Sequence, residues 1–443
     1  MKKNIIKYII TFIILLLIFN LLLFVTSLFP SSWIENRVRE SSQILNEEGN
    51  LYHFKIFNVE NNNYTDSLII NECYSIDNTD PIFSYMSCRK NYQKGITQKQ
   101  EPDIVGELFS VSNDSVKDEK YDPVKELSEF LNGKVTISYE YARYWHGYLT
   151  LYRVLLIFFN IKGIRIALFV LFVFLYIRLF YLLKKQFGVY IAIIFALSLL
   201  GVDYFHVAYS LESAPVFITM MLSSIIVLKR IDKIENLYLY QFVIGCICNF
   251  VDYLTVPLIT LAMPLLIYIL SKMQKENLHT KECLKMIFLS CIAWGIGYAA
   301  TWISKWAIYD IVFEKNMIIN AISQVIYRSG MTIPSSQVSI YFTVCVFLLN
   351  TLRRFFIFEL VILIIKIKCK DYTTEGYDLP DLLKKCIPFV IIGILPIIWY
   401  CLLSNHTVVH PRFTYRHTLI LLVCLLLSLN TITQNKGKLG KFE

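Results

Sequence analysis

The sequence has little charge for its length. Asp, Glu, Lys and Arg make up 17% of its 443 residues, whereas hydrophobic residues make up 56%. Soluble globular domains carry about 25% charged residues, and a soluble fold of this size could not bury so much apolar surface. The composition therefore argues against a soluble fold and predicts an integral membrane protein that does not bind nucleic acid.

The sequence also lacks the motifs of soluble nucleotide and hydrolase chemistry. It has no Walker loop, GxGxxG, HExxH, GxSxG or CxxC. It has no internal repeat and no pair of Gly/Pro-broken spans, which disfavours a secondary transporter. Most of the eleven cysteines lie in apolar runs; Cys73 and Cys88 lie in a polar region, where their spacing permits a disulfide without requiring one.

Ten apolar runs predict an all-α polytopic protein with about ten transmembrane helices. The first, Ile5–Phe29, exceeds the roughly 30 Å hydrocarbon core and is too long for a cleaved signal peptide. Tyr148–Asn160, interrupted by Arg153, predicts an interfacial helix. The segment Val338–Leu352 fits an interfacial helix, a re-entrant segment or an additional span. The other expected spans are Ile164–Leu183, Val189–Val202, Val207–Leu228, Tyr238–Val251, Leu254–Leu270, Leu284–Ile303, Phe355–Ile367, Ile387–Leu403 and Leu419–Ile432.

Basic residues cluster at alternate ends of these runs. The ends around Lys2–Lys7, Lys184, Lys229 and Lys436 are lysine-rich, whereas the alternate ends carry far fewer basic residues. The positive-inside rule places both termini in the cytoplasm of a bacterial plasma membrane. The expected organisation is a first transmembrane helix at 1–29, an extracytoplasmic loop subdomain at 30–146, and an interfacial helix with a multi-span bundle at 147–443.

The large loop has two helical patterns of its own. Ser32-Trp33-Ile34-Glu35 opens a helix that places Ile34, Val38 and Leu45 on one side. Val124–Leu131 predicts a short amphipathic helix, and the stretch after Lys90 looks irregular. The loop is thus large enough to cover a site but thin in apolar core.

Unusual polar residues collect at the expected outer ends. Charge at a helix centre costs about 2.5–3.5 kcal/mol on insertion scales, so charged groups that share one side predict a common aqueous site. Each also has a structural reading, such as an aromatic-basic anchor for Arg143, a helix cap for Asp252, or a solvated carboxylate for Asp66. The residues are Asp66, Arg143, His146, Asp203, His206, Glu212, Asp252, His406, His410, Arg412 and Arg416.

Four segments carry a resemblance to known proteins. Asn63–Asp66, Arg143–Tyr148, Asp252–Thr255 and Phe413–Arg416 resemble a family of multi-span proteins of low-GC Gram-positive bacteria associated with surface-polysaccharide gene sets. The layout is also similar to that of GT-C glycosyltransferases, which have a first span, a large outer loop bearing an acidic residue, an interfacial helix and a multi-span bundle. That likeness implies a GT-C-like fold and a polyprenyl-phosphate sugar donor used at the outer face.

The GT-C likeness also implies roles for individual residues. Asp66 would be the base or a metal-binding carboxylate, so a divalent metal is a possible cofactor, and His146 would assist. Arg143, Arg412 or Arg416 would hold the donor phosphate, because guanidinium groups suit phosphate oxygens. The expected substrate-binding set is Tyr64, Arg143, Trp145, Asp252, His410, Arg412 and Arg416.

Three functions remain open from the sequence. The leading hypothesis is transfer of a sugar from a lipid-linked donor to a cell-envelope glycan acceptor. The second is a transporter or flippase for a lipid-linked glycan, and the sparse intramembrane charge of the cytoplasmic half disfavours it. The third is a non-catalytic envelope-assembly protein whose loop binds partners.

Overall fold

The computed structural model describes residues 2–54, 59–92, 122–134, 137–276, 278–329 and 379–432. This part of the chain is mainly helical, with two short antiparallel ribbons. The helices are α1 Lys2–Ser27, α2 Glu35–Glu48, α3 Asn63–Tyr74, α4 Pro81–Ser87, α5 Pro123–Leu131, α6 Leu149–Phe158, α7 Ile161–Phe187, α8 Val189–Gly201, α9 Tyr204–Val207, α10 Ala214–Arg230, α11 Leu237–Val251, α12 Leu258–Glu276, α13 Thr280–Phe313, α14 Met317–Arg328, α15 Leu379–Leu402, α16 Ser404–Val409, α17 Pro411–Thr414 and α18 Thr418–Ile432. One ribbon pairs β1 Leu51–Phe54 with β2 Val59–Asn62, and the other pairs β3 Arg89–Tyr92 with β4 Ile137–Glu140.

Seven described helices are long and apolar enough to cross a membrane, namely α1, α7, α10, α12, α13, α15 and α18. Two further expected spans form the shorter apolar helices α8 and α11, of 13 and 15 residues. At 1.5 Å per residue each reaches only about 20 Å. The expected span Phe355–Ile367 and the segment Val338–Leu352 lie outside the described residues. The chain is thus a multi-pass helical membrane protein by length and composition.

One end of the bundle, here called the loop face, carries the chain between α1 and α6 and the turns 202–213, 252–257 and 403–417. Side chains from these segments meet there: Asp66 accepts from the Leu211 amide, and Arg416 contacts Ser213. At the opposite end, the Thr280 hydroxyl donates to the Lys384 carbonyl, so α13 and α15 start together and run in the same direction. The polar residues grouped by the sequence therefore belong to one end of the bundle.

The region between α1 and α6 shares its core with the bundle. Ile34, Val38 and Leu45 are fully buried, which confirms the predicted helical face. They belong to one continuous apolar cluster that includes Phe19 and Leu23 of α1 and extends through the membrane helices. The predicted helix Val124–Leu131 is confirmed as α5. This shared core compensates for the few apolar residues that the region has itself.

The apolar run Tyr148–Asn160 forms the helix α6, and the arginine that interrupts it is buried. Arg153 is fully buried, and its guanidinium donates to the backbone carbonyls of Thr26, Phe29 and Cys73. These carbonyls belong to the end of α1 and to α3. Arg153 therefore fastens α6 onto the first helix, because buried charged donors need acceptors.

Two glycines let α11 and α13 pack backbone to backbone. A Cβ at Gly245 would clash with the Trp294 carbonyl oxygen, and one at Gly297 would clash with the Phe242 carbonyl oxygen. Small residues at such crossings allow close helix approach in membranes. The crossing fixes the direction of α13, whose far end carries aromatic residues to the loop face.

Candidate functional site

Asp66 lies at the centre of a buried polar cluster on the loop face. It sits in the first turn of α3, and its Oδ2 is 3.2 Å from Nη2 of Arg165, in the first turns of α7. Arg165 also binds Glu48 at 2.8 Å and Asn63 at 2.8 Å. Asp66 Oδ1 accepts from the Leu211 amide at 2.9 Å. One arginine thus holds α2, α3 and α7 together through their acidic and amide groups.

Glu212 adds a second buried carboxylate to this cluster. The Asn62 amide donates to it at 3.2 Å. Burial and the negative charge of the nearby Asp66 both raise the pKa of Glu212, which is about 7 as a result. Burial also raises the pKa of Asp66 to about 6, against the opposing pull of Arg165. The two acids lie close enough to interact, so the pair can accept a proton near neutral pH.

The start of α18 brings Arg416 to the same cluster. Arg416 is buried, and it lies 3.4 Å from the Ser213 hydroxyl and 3.4 Å from Nδ1 of His206. Burial, together with the nearby guanidinium groups of Arg416 and Arg165, lowers the pKa of His206 to about 3. His206 is therefore a neutral imidazole here. We call Asp66, Arg165, His206, Glu212 and Arg416 the acid–arginine cluster.

His146 lies in a hydrogen-bonded chain beside this cluster. Its Nδ1 is 2.5 Å from the Tyr148 hydroxyl, which in turn lies 2.7 Å from Oε2 of Glu72. Its Nε2–H donates to the Tyr141 carbonyl at 2.7 Å. Burial lowers the pKa of His146, although the neighbouring Glu72 opposes that shift. The Tyr148 hydroxyl has one proton and can donate it to either Nδ1 of His146 or Oε2 of Glu72. Both contacts are hydrogen bonds only when Glu72 or His146 carries one additional proton.

A small cavity lies at the end of α13. It has a volume of about 20 Å³, room for about one water molecule. Two guanidinium groups and three large aromatic rings line it, and its described lining residues include no carboxylate. The lining residues are Arg143, Tyr144, Trp302, Trp306, Ala321, Gln324, Val325 and Arg328. We call this the arginine pocket.

Aromatic residues and carbonyl contacts hold the arginine pocket in shape. The indole N–H groups of Trp302 and Trp306 both donate to the Arg143 carbonyl, at 2.7 and 2.9 Å. Tyr144 stacks on Trp302 with ring centroids 5.8 Å apart. Arg328 lies 3.4 Å from Nδ1 of His406. The pocket is thus a positively charged recess with flat apolar walls.

The other predicted site residues fall into two groups. Asp252 accepts from Thr255 and from the Tyr298 hydroxyl, and Trp145 is buried with its N–H on the Thr301 carbonyl. Both therefore act in packing and turn formation in this structure. His410 lies beside His406, with ring centroids 4.8 Å apart, while Tyr64 and Arg412 are exposed on the loop face. The structure brings Asp66 and Arg416 into one cluster and puts Arg143 in the separate pocket.

Three site residues were not singled out by the sequence analysis. Arg165 is hidden in an apolar run, although a charge in a membrane helix is itself a functional signal. Glu72 stands among ordinary polar residues, and Arg328 precedes a region without a clear pattern. Their partners lie far away in sequence, as for Arg165 and Glu48, so spacing alone gives no indication of them.

Cys73 and Cys88, the two cysteines that a disulfide would join, are both buried and are not joined to each other in the structure. Cys88 lies close to Glu72 and His146, and the ligand atoms of these three residues are all within 4.8 Å of one another. The loop face therefore holds an acid–arginine cluster, a hydrogen-bonded histidine with a nearby thiol, and an arginine pocket. No protein-family model, no curated protein and no solved structure matches this chain.

Proposed function

We propose that this protein is a membrane glycosyltransferase of GT-C type that moves a sugar from a polyprenyl-phosphate donor to a cell-envelope glycan. The single observation that supports it best is the acid–arginine cluster, in which acidic, cationic and imidazole groups from four separated segments meet at one end of the bundle. The resemblance of the layout to GT-C enzymes supports the same proposal. In it, the loop face is the outer face of a bacterial plasma membrane.

Asp66 acts as the base in this proposal. Its pKa of about 6 leaves it mostly ionised at neutral pH, yet basic enough to accept a proton. The acceptor hydroxyl gives its proton to Asp66 while its oxygen bonds to the anomeric carbon. The bond from that carbon to the phosphate oxygen breaks, and polyprenyl phosphate leaves. Glu212 can share the proton because the two acids are coupled.

Arginines stabilise the departing phosphate. Arg416 stands in the acid–arginine cluster, and Arg143 and Arg328 line the arginine pocket. Guanidinium groups form strong charge-assisted bonds with phosphate oxygens, and such electrostatic stabilisation acts where charge develops. The aromatic walls of the pocket suit the apolar part of a lipid or a sugar ring. The arginine pocket has room for about one water molecule here, so binding of a phosphate there would require the pocket to widen.

The test is donor turnover by the full chain in membranes. Radiolabelled polyprenyl-phosphate hexoses are supplied with native envelope glycan, and release of polyprenyl phosphate is measured. Asp66→Asn should lower the rate at least 100-fold, since a general base contributes about 10²–10⁴. Asp77→Asn is the matched control, because Asp77 is an exposed carboxylate of the same region.

Three outcomes would overturn the proposal. Equal turnover by Asp66→Asn and the wild type would show that Asp66 is not the base. A wild-type protein that releases no polyprenyl phosphate but moves lipid-linked glycan across vesicle membranes would be a transporter or flippase instead. Unchanged surface glycan in cells that carry Asp66→Asn would favour a non-catalytic assembly role.

A further inference from the structure

We propose that Glu72, Cys88 and His146 form a binding site for a Zn²⁺ ion on the loop face, independent of the proposed glycosyltransferase activity. One carboxylate oxygen, one thiol sulfur and one imidazole nitrogen lie within 4.8 Å of one another, and all three residues are buried. Oxygen, sulfur and nitrogen are the three ligand types that Zn²⁺ takes in proteins.

The separations are close to those of a zinc site. Zinc bonds are about 2.0–2.3 Å long, so ligand atoms around one ion lie about 3–4 Å apart. Nδ1 of His146 and Oε2 of Glu72 are 3.5 Å apart. A small shift of the Cys88 side chain completes the set.

The imidazole is already in the form that binds a metal. Nε2 of His146 faces the Tyr141 carbonyl, which can only accept a hydrogen bond, so Nε2 carries the proton. Nδ1 then carries the lone pair; it lies 2.5 Å from the Tyr148 hydroxyl and 3.5 Å from Oε2 of Glu72, so Zn²⁺ would bind there in place of the hydrogen bond from Tyr148. Metal-binding histidines usually donate their other N–H to a carbonyl or carboxylate, which fixes the ring.

The charges around the site also fit a divalent cation. Glu72 and a Cys88 thiolate together carry two negative charges, which balance Zn²⁺. Lys305, whose ammonium donates to the Met86 carbonyl at 2.7 Å, interacts electrostatically with Cys88. A nearby cation favours the thiolate, which is the form that binds metal.

The alternative interpretation is a hydrogen-bonded network without metal. The Tyr148 hydroxyl lies between Nδ1 of His146 and Oε2 of Glu72, and it bridges them through a proton. The two interpretations differ at Cys88, whose sulfur lies within 4.8 Å of both ligand atoms and would be a ligand only in the metal site.

Such an ion would join three separate segments. Glu72 lies in α3, Cys88 ends α4, and His146 lies where the chain returns to the bundle at α6. Zinc with three or four protein ligands stabilises a fold directly. The ion would therefore hold the region above α1 against the bundle.

The experiment is a cobalt titration of the full-length protein in detergent after chelator treatment. Co²⁺ replaces Zn²⁺ and gives a visible thiolate-to-metal absorption band. We expect one Co²⁺ per chain with that band, displacement of Co²⁺ by Zn²⁺, and a rise in melting temperature with either ion. Cys88→Ser should abolish the band, and Glu72→Gln should weaken binding at least 10-fold.

Cys73→Ser is the matched control. Cys73 is also a buried free thiol, adjacent to Glu72 in α3, but it is not one of the three converging residues. It should leave the band and the affinity unchanged. A wild-type chain that binds no stoichiometric Co²⁺ or Zn²⁺ would overturn the proposal, whether or not any variant folds. So would a band that persists in Cys88→Ser or disappears equally in Cys73→Ser. Glycosyltransferase activity does not enter these readouts, so the two proposals fail separately.

Discussion

Arg165 and Asp66 form a buried ion pair between residues 99 positions apart in sequence, with Nη2 and Oδ2 3.2 Å apart. The arginine enters the membrane helix α7, and the acid begins α3 above it. The same guanidinium binds Glu48 and Asn63. This one side chain therefore attaches the region between α1 and α6 to the bundle.

Arg165→Met should destabilise the protein strongly. It leaves Asp66 and Glu48 without their cation, and breaking a buried pair by removing one partner costs about 3–5 kcal/mol. A thermal melt in detergent should show a clear fall in melting temperature. Arg39→Met is the control, because Arg39 pairs with Glu35 on an exposed helix surface, where such pairs contribute under about 1 kcal/mol. Equal shifts for both variants would mean that Arg165 has no special structural role.

Stability should fall as pH rises toward 7 because of Glu212. Its pKa is raised from 4.5 to about 7 in the folded state. Between pH 4.5 and pH 7, Glu212 therefore keeps its proton in the folded state but has lost it in the unfolded state. The cost of ionising Glu212 in the folded state therefore appears over this window, at most about 3 kcal/mol at higher pH. Glu212→Gln removes it and should flatten the fall in melting temperature between pH 5 and 8. An unchanged slope would contradict the buried, raised state of Glu212.

Gly297→Ala should disrupt the crossing of α11 and α13, because a Cβ there meets the Phe242 carbonyl. The helices must separate, and overpacking of this kind costs about 1–3 kcal/mol. Gly295→Ala on the same helix is the matched control, since a Cβ at Gly295 has nothing within 4 Å. Alanine should be neutral or slightly stabilising there. The measurement is the melting temperature of each variant. A melting temperature that falls in Gly295→Ala but not in Gly297→Ala would contradict the close packing of α11 and α13 at Gly297.

Arg328→Gln should weaken binding of lipid phosphate in the arginine pocket. Loss of one guanidinium removes charge-assisted bonds to phosphate, which are each worth about 1.5–3 kcal/mol. Farnesyl phosphate serves as the probe, and quenching of Trp302 and Trp306 fluorescence reports its binding. We expect affinity to fall at least 10-fold in Arg328→Gln and not in Arg37→Gln, whose arginine is half-exposed on α2. Equal affinity in all three proteins would exclude the pocket as a phosphate site.

Much of the local structure follows from the sequence. The apolar face of Ile34, Val38 and Leu45 and the amphipathic pattern of Val124–Leu131 are local signals, and both helices form as expected. Basic residues at alternate run ends predict that Asp66 and Arg416 share one side, and in the structure both contact the turn at 203–213. These patterns work because helix periodicity, capping and charge distribution each depend on residues close together in the chain.

The pairings within the site could not be predicted in the same way. Arg153 interrupts an apolar run, and nothing near it in sequence indicates that the carbonyls of Thr26, Phe29 and Cys73 accept hydrogen bonds from it. Trp145 and Asp252 were expected to bind substrate, and their hydrogen bonds go to Thr301 and to Tyr298. These hydrogen bonds depend on which distant segment of the chain packs against the side chain. Every residue has a backbone carbonyl, so the sequence does not indicate which carbonyl will be the acceptor.

The length of α13 has a mechanical consequence. Its 34 residues extend about 51 Å, about 20 Å more than the roughly 30 Å thickness of a hydrocarbon layer. The C-terminal part of the helix holds the Arg143 carbonyl through two indoles and Glu140 through the Tyr309 hydroxyl. Because these groups lie on one continuous helix, a tilt of α13 would move the contacts to Arg143 and Glu140 together.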